Sequence, residues 1–110
     1  MHELGITRNV VAICAEQSGG RVVTRVRLEI GKLSAVIPDA VRFCFDVCIE
    51  NTPLAGASLQ IDEIEGRGRC RDCGEELAMD QPFGLCTCGS TAIDCIAGTE
   101  LNIKELEVVN

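Results

Sequence analysis

Residues 24–30 alternate without error: Thr24, Val26, Leu28 and Ile30 point one way, and Arg25, Arg27 and Glu29 the other. A period of two predicts a half-buried strand, closed by Gly31, with its charged face towards water. The spacing changes on either side. Upstream, Leu4, Val10, Val11, Ile13, Cys14 and Ala15 predict a helix over 4–17, stopped by Ser18-Gly19-Gly20. Downstream, Pro38 suits a first helical turn, where its missing N–H costs nothing. Ile37, Ala40, Val41, Cys44, Phe45 and Cys48 recur at intervals of three and four, which predicts a second helix running to Asn51 and closed by Thr52-Pro53.

Ala57, Leu59 and Ile61 alternate with Ser58, Gln60 and Asp62, a second strand whose slip at Glu63-Ile64 suggests a bulge. Leu101, Ile103, Leu106 and Val108 give a third strand, with a slip near Lys104-Glu105. Between them the composition changes at Gly66-Arg67-Gly68-Arg69, and from Cys70 to Cys95 there is little periodicity. Two slipped strands bracketing an irregular insert are expected to be neighbours that leave the sheet together as a ribbon. The fold class expected is α+β. Residues 1–65 and 98–110 form a small mixed three-stranded sheet with two helices, and a zinc-ribbon-like lobe is inserted at 66–97.

Composition narrows the function. The 110 residues carry a net charge of −7 with no Trp or Tyr and three Phe. The core is therefore aliphatic, stacking platforms for bases are scarce, and phosphate backbones and anionic membranes are repelled. Neither nucleic acid nor a membrane is an expected partner. No apolar run approaches the roughly 18 residues of a membrane span, and Met1-His2-Glu3 lacks the positive start of a secretory signal. A cytoplasmic location is expected. With one histidine, no phosphate loop and no nucleophile–base spacing, an enzyme is not expected.

Eight cysteines in such a chain point to metal. Cys70-Arg71-Asp72-Cys73-Gly74 and Leu85-Cys86-Thr87-Cys88-Gly89 are two knuckles twelve residues apart. Short turns present two thiolates together, and four of them match tetrahedral zinc. Zinc would also replace the hydrophobic core that this segment lacks. The favoured ligands are Cys70, Cys73, Cys86 and Cys88. The second knuckle has a single spacer, Thr87, so Cys95 is an alternative ligand. Cys14, Cys44 and Cys48 fall on apolar helix faces and are read as small buried hydrophobes. Two competing readings are a zinc-ribbon interaction module without nickel and a thiol oxidoreductase using Cys70 and Cys73.

His2 is the only histidine. With the Met1 amine and its own backbone amide it offers three nitrogens, a set that favours square-planar Ni(II) or Cu(II). Glu3 adds a carboxylate that could ligate the metal or orient the imidazole.

Several stretches together resemble the HypA/HybF family of hydrogenase nickel-incorporation proteins. They are Met1-His2-Glu3-Leu4, Ile30-Gly31-Lys32-Leu33-Ser34, Pro38-Asp39-Ala40-Val41-Arg42-Phe43, Thr52-Pro53-Leu54-Ala55-Gly56-Ala57 and both cysteine knuckles. The resemblance covers essentially the whole chain. It implies a metallochaperone that binds Ni(II) at its N-terminus and delivers it during maturation of [NiFe]-hydrogenase, and in some bacteria of urease, with structural Zn(II) in the knuckles. His2 becomes the nickel ligand, completed by the Met1 and Glu3 backbone nitrogens or the Glu3 side chain. The implied partners are a nickel-handling GTPase and the hydrogenase large subunit, with the chain a monomer or homodimer. The family usually has two residues between the cysteines of its second knuckle, where this chain has one.

Overall fold

A computed structural model describes residues 2–109. Its elements are α1 (Glu3–Gln17), β1 (Val23–Gly31), α2 (Pro38–Cys48), β2 (Ser58–Ile64), β3 (Gly66–Cys70), β4 (Glu76–Met79), β5 (Ile93–Ala97) and β6 (Leu101–Val108). They form two three-stranded sheets, β2-β1-β6 and β4-β3-β5, in a molecule 54 × 27 × 16 Å.

The alternation of β1 holds from Arg25 to Ile30 and reflects its place at the centre of the first sheet, whereas Thr24, expected on the inward face, is exposed at a register shift to β6 between Val23 and Arg25. β2 pairs with it in parallel and β6 antiparallel, which makes the sheet mixed. A parallel neighbour needs a crossover, and α2 provides it. Val26, Leu28 and Ile30 are buried under the helices with Val10, Val11, Cys14, Val41, Phe45 and Leu54, so the main hydrophobic core lies in this half. On the other face Arg27 bridges Asp62 at 2.6 Å and Glu105 at 3.0 Å, while Arg25 reaches Glu107 at 3.0 Å. The Arg27 guanidinium holds the Asp62 carboxyl below its ordinary range. Such solvent-facing pairs are worth little individually, so this ladder sets strand register more than it stabilises the fold.

The inward face of α1 is Glu3, Thr7, Val10, Val11 and Cys14, at intervals of four, three, one and three. Leu4 and Ile13, part of the apolar set that predicts this helix, are exposed. Thr7 fits the core because its hydroxyl donates to the Glu3 carbonyl at 2.6 Å. α2 starts at Pro38 as expected and ends at Cys48, earlier than Asn51.

Two expectations about the strands need correction. β2 pairs with β1 in unbroken register from Ser58 to Ile64, so there is no bulge at Glu63-Ile64. Nor are β2 and β6 neighbours, because β1 lies between them. The slip in β6 is real: Arg27 faces Glu105 and Leu28 faces Ile103, leaving Lys104 as the extra residue. The insert is also more regular than expected, since β3 pairs antiparallel with both β4 and β5. Its alternation was hidden because two of the three inward residues of Gly66-Arg67-Gly68-Arg69-Cys70 are glycines. A Cβ at Gly68 would strike the side chains of Met79 and Ile93, so neighbouring strands fill the space an apolar side chain would normally occupy.

The two sheets meet at the loop after β1. Lys32 N–H donates to the Ile64 carbonyl at 2.9 Å and Leu33 N–H to that of Gly98 at 2.7 Å, which ties this loop to both strands of the crossing. The Leu33 side chain rests on Gly66 and Gly98, whose backbones approach too closely for a Cβ, and Gly98 has φ +110°. Gly98→Val should therefore displace Leu33 and force a conformation that a β-branched residue rarely adopts, costing about 2–4 kcal/mol. Urea denaturation checks this; a loss below about 0.5 kcal/mol would mean the crossing is not close-packed.

Candidate metal centre

Each knuckle is a tight turn whose amides close back on the chain. Gly74 N–H donates to the Cys70 carbonyl and Gly89 N–H to that of Cys86, both at 2.9 Å. The glycines at these closures have φ +78° and +92°, a region other residues adopt only with strain. Cys70 N–H donates to the Glu75 carbonyl and Cys86 N–H to that of Ser90, each at 2.9 Å, which fixes the direction of both turns.

The result is a cluster of four sulfurs. Cys70 Sγ lies 3.6 Å from Cys88 Sγ and Cys73 Sγ 3.5 Å from Cys86 Sγ, and all four ligand atoms fall within 4.8 Å of one another. Zinc bound tetrahedrally at ~2.3 Å from sulfur separates its ligands by about 3.8 Å, so the cluster fits the ion with little adjustment. The short Cys86-Thr87-Cys88 spacing does not prevent this, because the turn closing at Gly89 brings Cys88 round to Cys70. Cys95 lies outside the cluster: it is exposed on β5, with its thiol 3.3 Å from the Ala97 carbonyl.

Electrostatics favours a cation here. The Cys73 amide, with that of Asp72, brings the Cys70 thiol down to about 6. Cys73 goes the other way. Although the Glu75 amide favours its thiolate, Cys86, burial and the other sulfurs push it up to about 12. One thiolate in the cluster makes the next more costly, and four can ionise together only around a positive ion. Arginine does not fill that role, since Arg67 and Arg69 pair with Glu76, and Arg71 with Asp94. Cys70 and Cys86 are buried while Cys73 and Cys88 are exposed, so the metal would sit at the edge of the lobe.

The N-terminal residues are at the other sheet. Met1 lies outside the described residues. His2 occupies the cap position of α1, exposed, and its ring makes no capping hydrogen bond. Glu3 is only 8% exposed, and its Oε2 accepts from Ile37 N–H at 3.2 Å, tying the start of α1 to the start of α2. The sequence reading missed this role. Its signal was nevertheless present, because Glu3 shares the spacing of Thr7, Val10 and Cys14 on the inward face. Among the described residues, the four knuckle cysteines are the one group of three or more His, Cys, Asp or Glu arranged to hold a metal.

A helix-covered mixed sheet joined to a four-sulfur lobe defines a small metal-binding α+β protein. The chain belongs to the HypA family: the family model described as "hydrogenase/urease nickel incorporation, metallochaperone, hypA" matches residues 1–108. It is 60% identical over 108 residues to the hydrogenase maturation factor HypA of Nostoc punctiforme, covering 98% of this chain and 96% of that protein. Identity to the namesake from Geotalea uraniireducens is 50% over 109 residues, covering 98% and 99%. The solution structure of the Ni metallochaperone HypA from Helicobacter pylori superposes with a TM-score of 0.71 at 23% identity, covering 99% of this chain and 98% of that one. That likeness establishes a common fold. The four-cysteine cluster fits the structural zinc of this family, and no helix among the described residues is long and apolar enough to cross a membrane.

Proposed function

We propose that this chain carries Ni(II) at its N-terminus and hands it on during maturation of [NiFe]-hydrogenase, with zinc as a structural ion. The observation that carries this reading is the family match over residues 1–108, beginning on the Met-His-Glu segment. His2 would ligate through its imidazole and backbone amide, with the Met1 amine or the Glu3 backbone nitrogen completing a nitrogen-rich plane. The Glu3 carboxylate is engaged with Ile37 N–H, which favours an orienting role over direct ligation. An exposed terminal site suits a carrier that must release its metal, whereas a closed four-sulfur site retains it. Transfer is ligand exchange, so no catalytic residue is assigned.

A nickel-handling GTPase would load the chain and the hydrogenase large subunit would receive the ion, with urease a second possible recipient. The acidic surface would favour approach of the cation and select partners of opposite charge. We place these steps in the cytoplasm, where clustered thiols stay reduced.

The test is elemental analysis of untagged, N-terminally intact protein given one equivalent of Ni(II) and desalted. One zinc and one nickel are expected, and His2→Ala should lose the nickel while keeping zinc and fold. Stoichiometric nickel retained by His2→Ala would remove the site assignment. Zinc with no nickel uptake by the unaltered chain would leave an interaction module as the better account.

A further inference from the structure

β6 forms one edge of the first sheet, and no helix packs closely over it. Between α1 and β6 lies a groove of about 520 Å³ lined by Ile6, Asn9, Ile13, Leu101 and Ile103 among others. It is continued by a second hollow that reaches Leu106. Ile13 is 46% and Leu101 38% exposed. An apolar groove beside an unpaired strand edge is a surface that natural proteins either block or use.

The residues of β6 say what fits. Leu101, Ile103, Leu106 and Val108 are on the core side. Glu105 and Glu107 meet the arginines of the outer face, and the bulged Lys104 reaches the outer-face Glu29 at 3.2 Å. A two-fold axis between Lys104 and Glu105 would set Lys104 opposite the partner's Glu105, Ile103 opposite the partner's Leu106, Asn102 opposite the partner's Glu107 and Leu101 opposite the partner's Val108. Every pair is then apolar with apolar or polar with polar, and the central pairs are of opposite charge. In a regular strand Lys104 and Glu105 would point to opposite faces and this register would be impossible. The bulge turns both outward, so the irregularity that breaks pairing to β1 is what makes the strand complementary to itself. Centring the axis on Lys104 or on Glu105 instead sets like charges opposite each other.

We propose that β6 pairs antiparallel with β6 of a second copy, giving one continuous six-stranded sheet. Successive strands lie ~4.8 Å apart, so the two copies of β1, and the α1 helices over them, would sit about 14 Å from each other. Helices with side chains are ~10–12 Å across, so Ile6 and Ile13 from both copies would close the groove over the seam. This inference rests on the fold alone and does not depend on the nickel reading.

The test is sedimentation of the full zinc-loaded chain over a wide concentration range. A monomer–dimer equilibrium is expected. Lys104→Glu and Glu105→Lys should each weaken it about tenfold or more, because each makes both central pairs like-charged. Mixed one to one, the two variants set an all-acidic centre against an all-basic one and should dimerise again. A monomer at every concentration, or a dimer that both variants leave intact, would overturn the proposal. Glu105→Lys also loses bridges to Arg25 and Arg27, so a readout on the unaltered chain is needed as well. In mixed-isotope NMR, methyl contacts between Ile103 and the partner's Leu106 are expected; a dimer without them would equally overturn it.

Discussion

Removing zinc with a chelator should unfold residues 66–97 and leave the helix-covered sheet standing. All the fully buried large side chains except Cys70 belong to the first half of the molecule or its loops, and the hydrophobic core cluster contains nothing from β3, β4 or β5. In the second lobe, Cys70, Met79 and Cys86 are the buried apolar residues, and two of these are sulfurs of the metal cluster. So small a core cannot offset the conformational entropy of more than 30 residues at roughly 1–2 kcal/mol each. Zinc bound by four thiolates contributes apparent free energies of about 10–16 kcal/mol to small domains, enough to decide whether the lobe folds. Amide exchange after chelation should lose protection in β3–β5 and keep it in β1. Cys70→Ser should reproduce this and Cys95→Ser should not, since Cys95 stands outside the cluster. Unchanged protection at Arg69 and Ile93 in the chelated protein would show that the strands hold themselves together.

The second large effect is expected at Phe45. Of the three aromatic residues, Phe43 and Phe83 are 73% and 74% exposed, whereas Phe45 is 1% exposed in the hydrophobic core cluster. Truncating a buried Phe to Ala typically costs ~3–5 kcal/mol, the sum of lost transfer energy and an unfilled cavity. An aliphatic core of this size has little room to collapse around the void, and total stabilities are only about 5–15 kcal/mol. Phe45→Ala should therefore lower the urea midpoint of the zinc-loaded protein severely. Phe43→Ala, two positions away on the exposed side of α2, should change stability by less than about 0.5 kcal/mol. Equal effects at the two positions would mean that α2 is rotated relative to the packing described above.

The contrast between these two phenylalanines shows how far the sequence carries. The three-and-four spacing that predicts α2 includes Val41 and Phe45, which are buried, while the apolar set that predicts α1 includes Leu4 and Ile13, which are exposed. The difference lies in what fills the rest of each face. In α1, Glu3 and Thr7 occupy inward positions because their polar atoms find partners, Ile37 N–H and the Glu3 carbonyl. A hydropathy pattern cannot register a polar residue satisfied by a contact that forms only on folding.

The local order of the chain was legible without coordinates: the two helices, the alternating strands β1, β2 and β6, the slip at Lys104 and the four sulfurs on two glycine-closed turns. Each of these is governed by nearest neighbours, by periodicity or by ligand spacing. What only the tertiary structure decided is which strand lies between which others. The placement of β1 between β2 and β6 depends on a crossover and on ion pairs spanning up to 82 positions, such as Arg25 with Glu107. Likewise β3 was unreadable because two of its inward residues are glycines, and the side chains that fill their space, Leu33 at Gly66 and Met79 with Ile93 at Gly68, come from other elements. The knuckles were complete in the sequence, but the pairing of Cys70 with Cys88 and of Cys73 with Cys86, and the exclusion of Cys95, required the turns to be folded against each other in space.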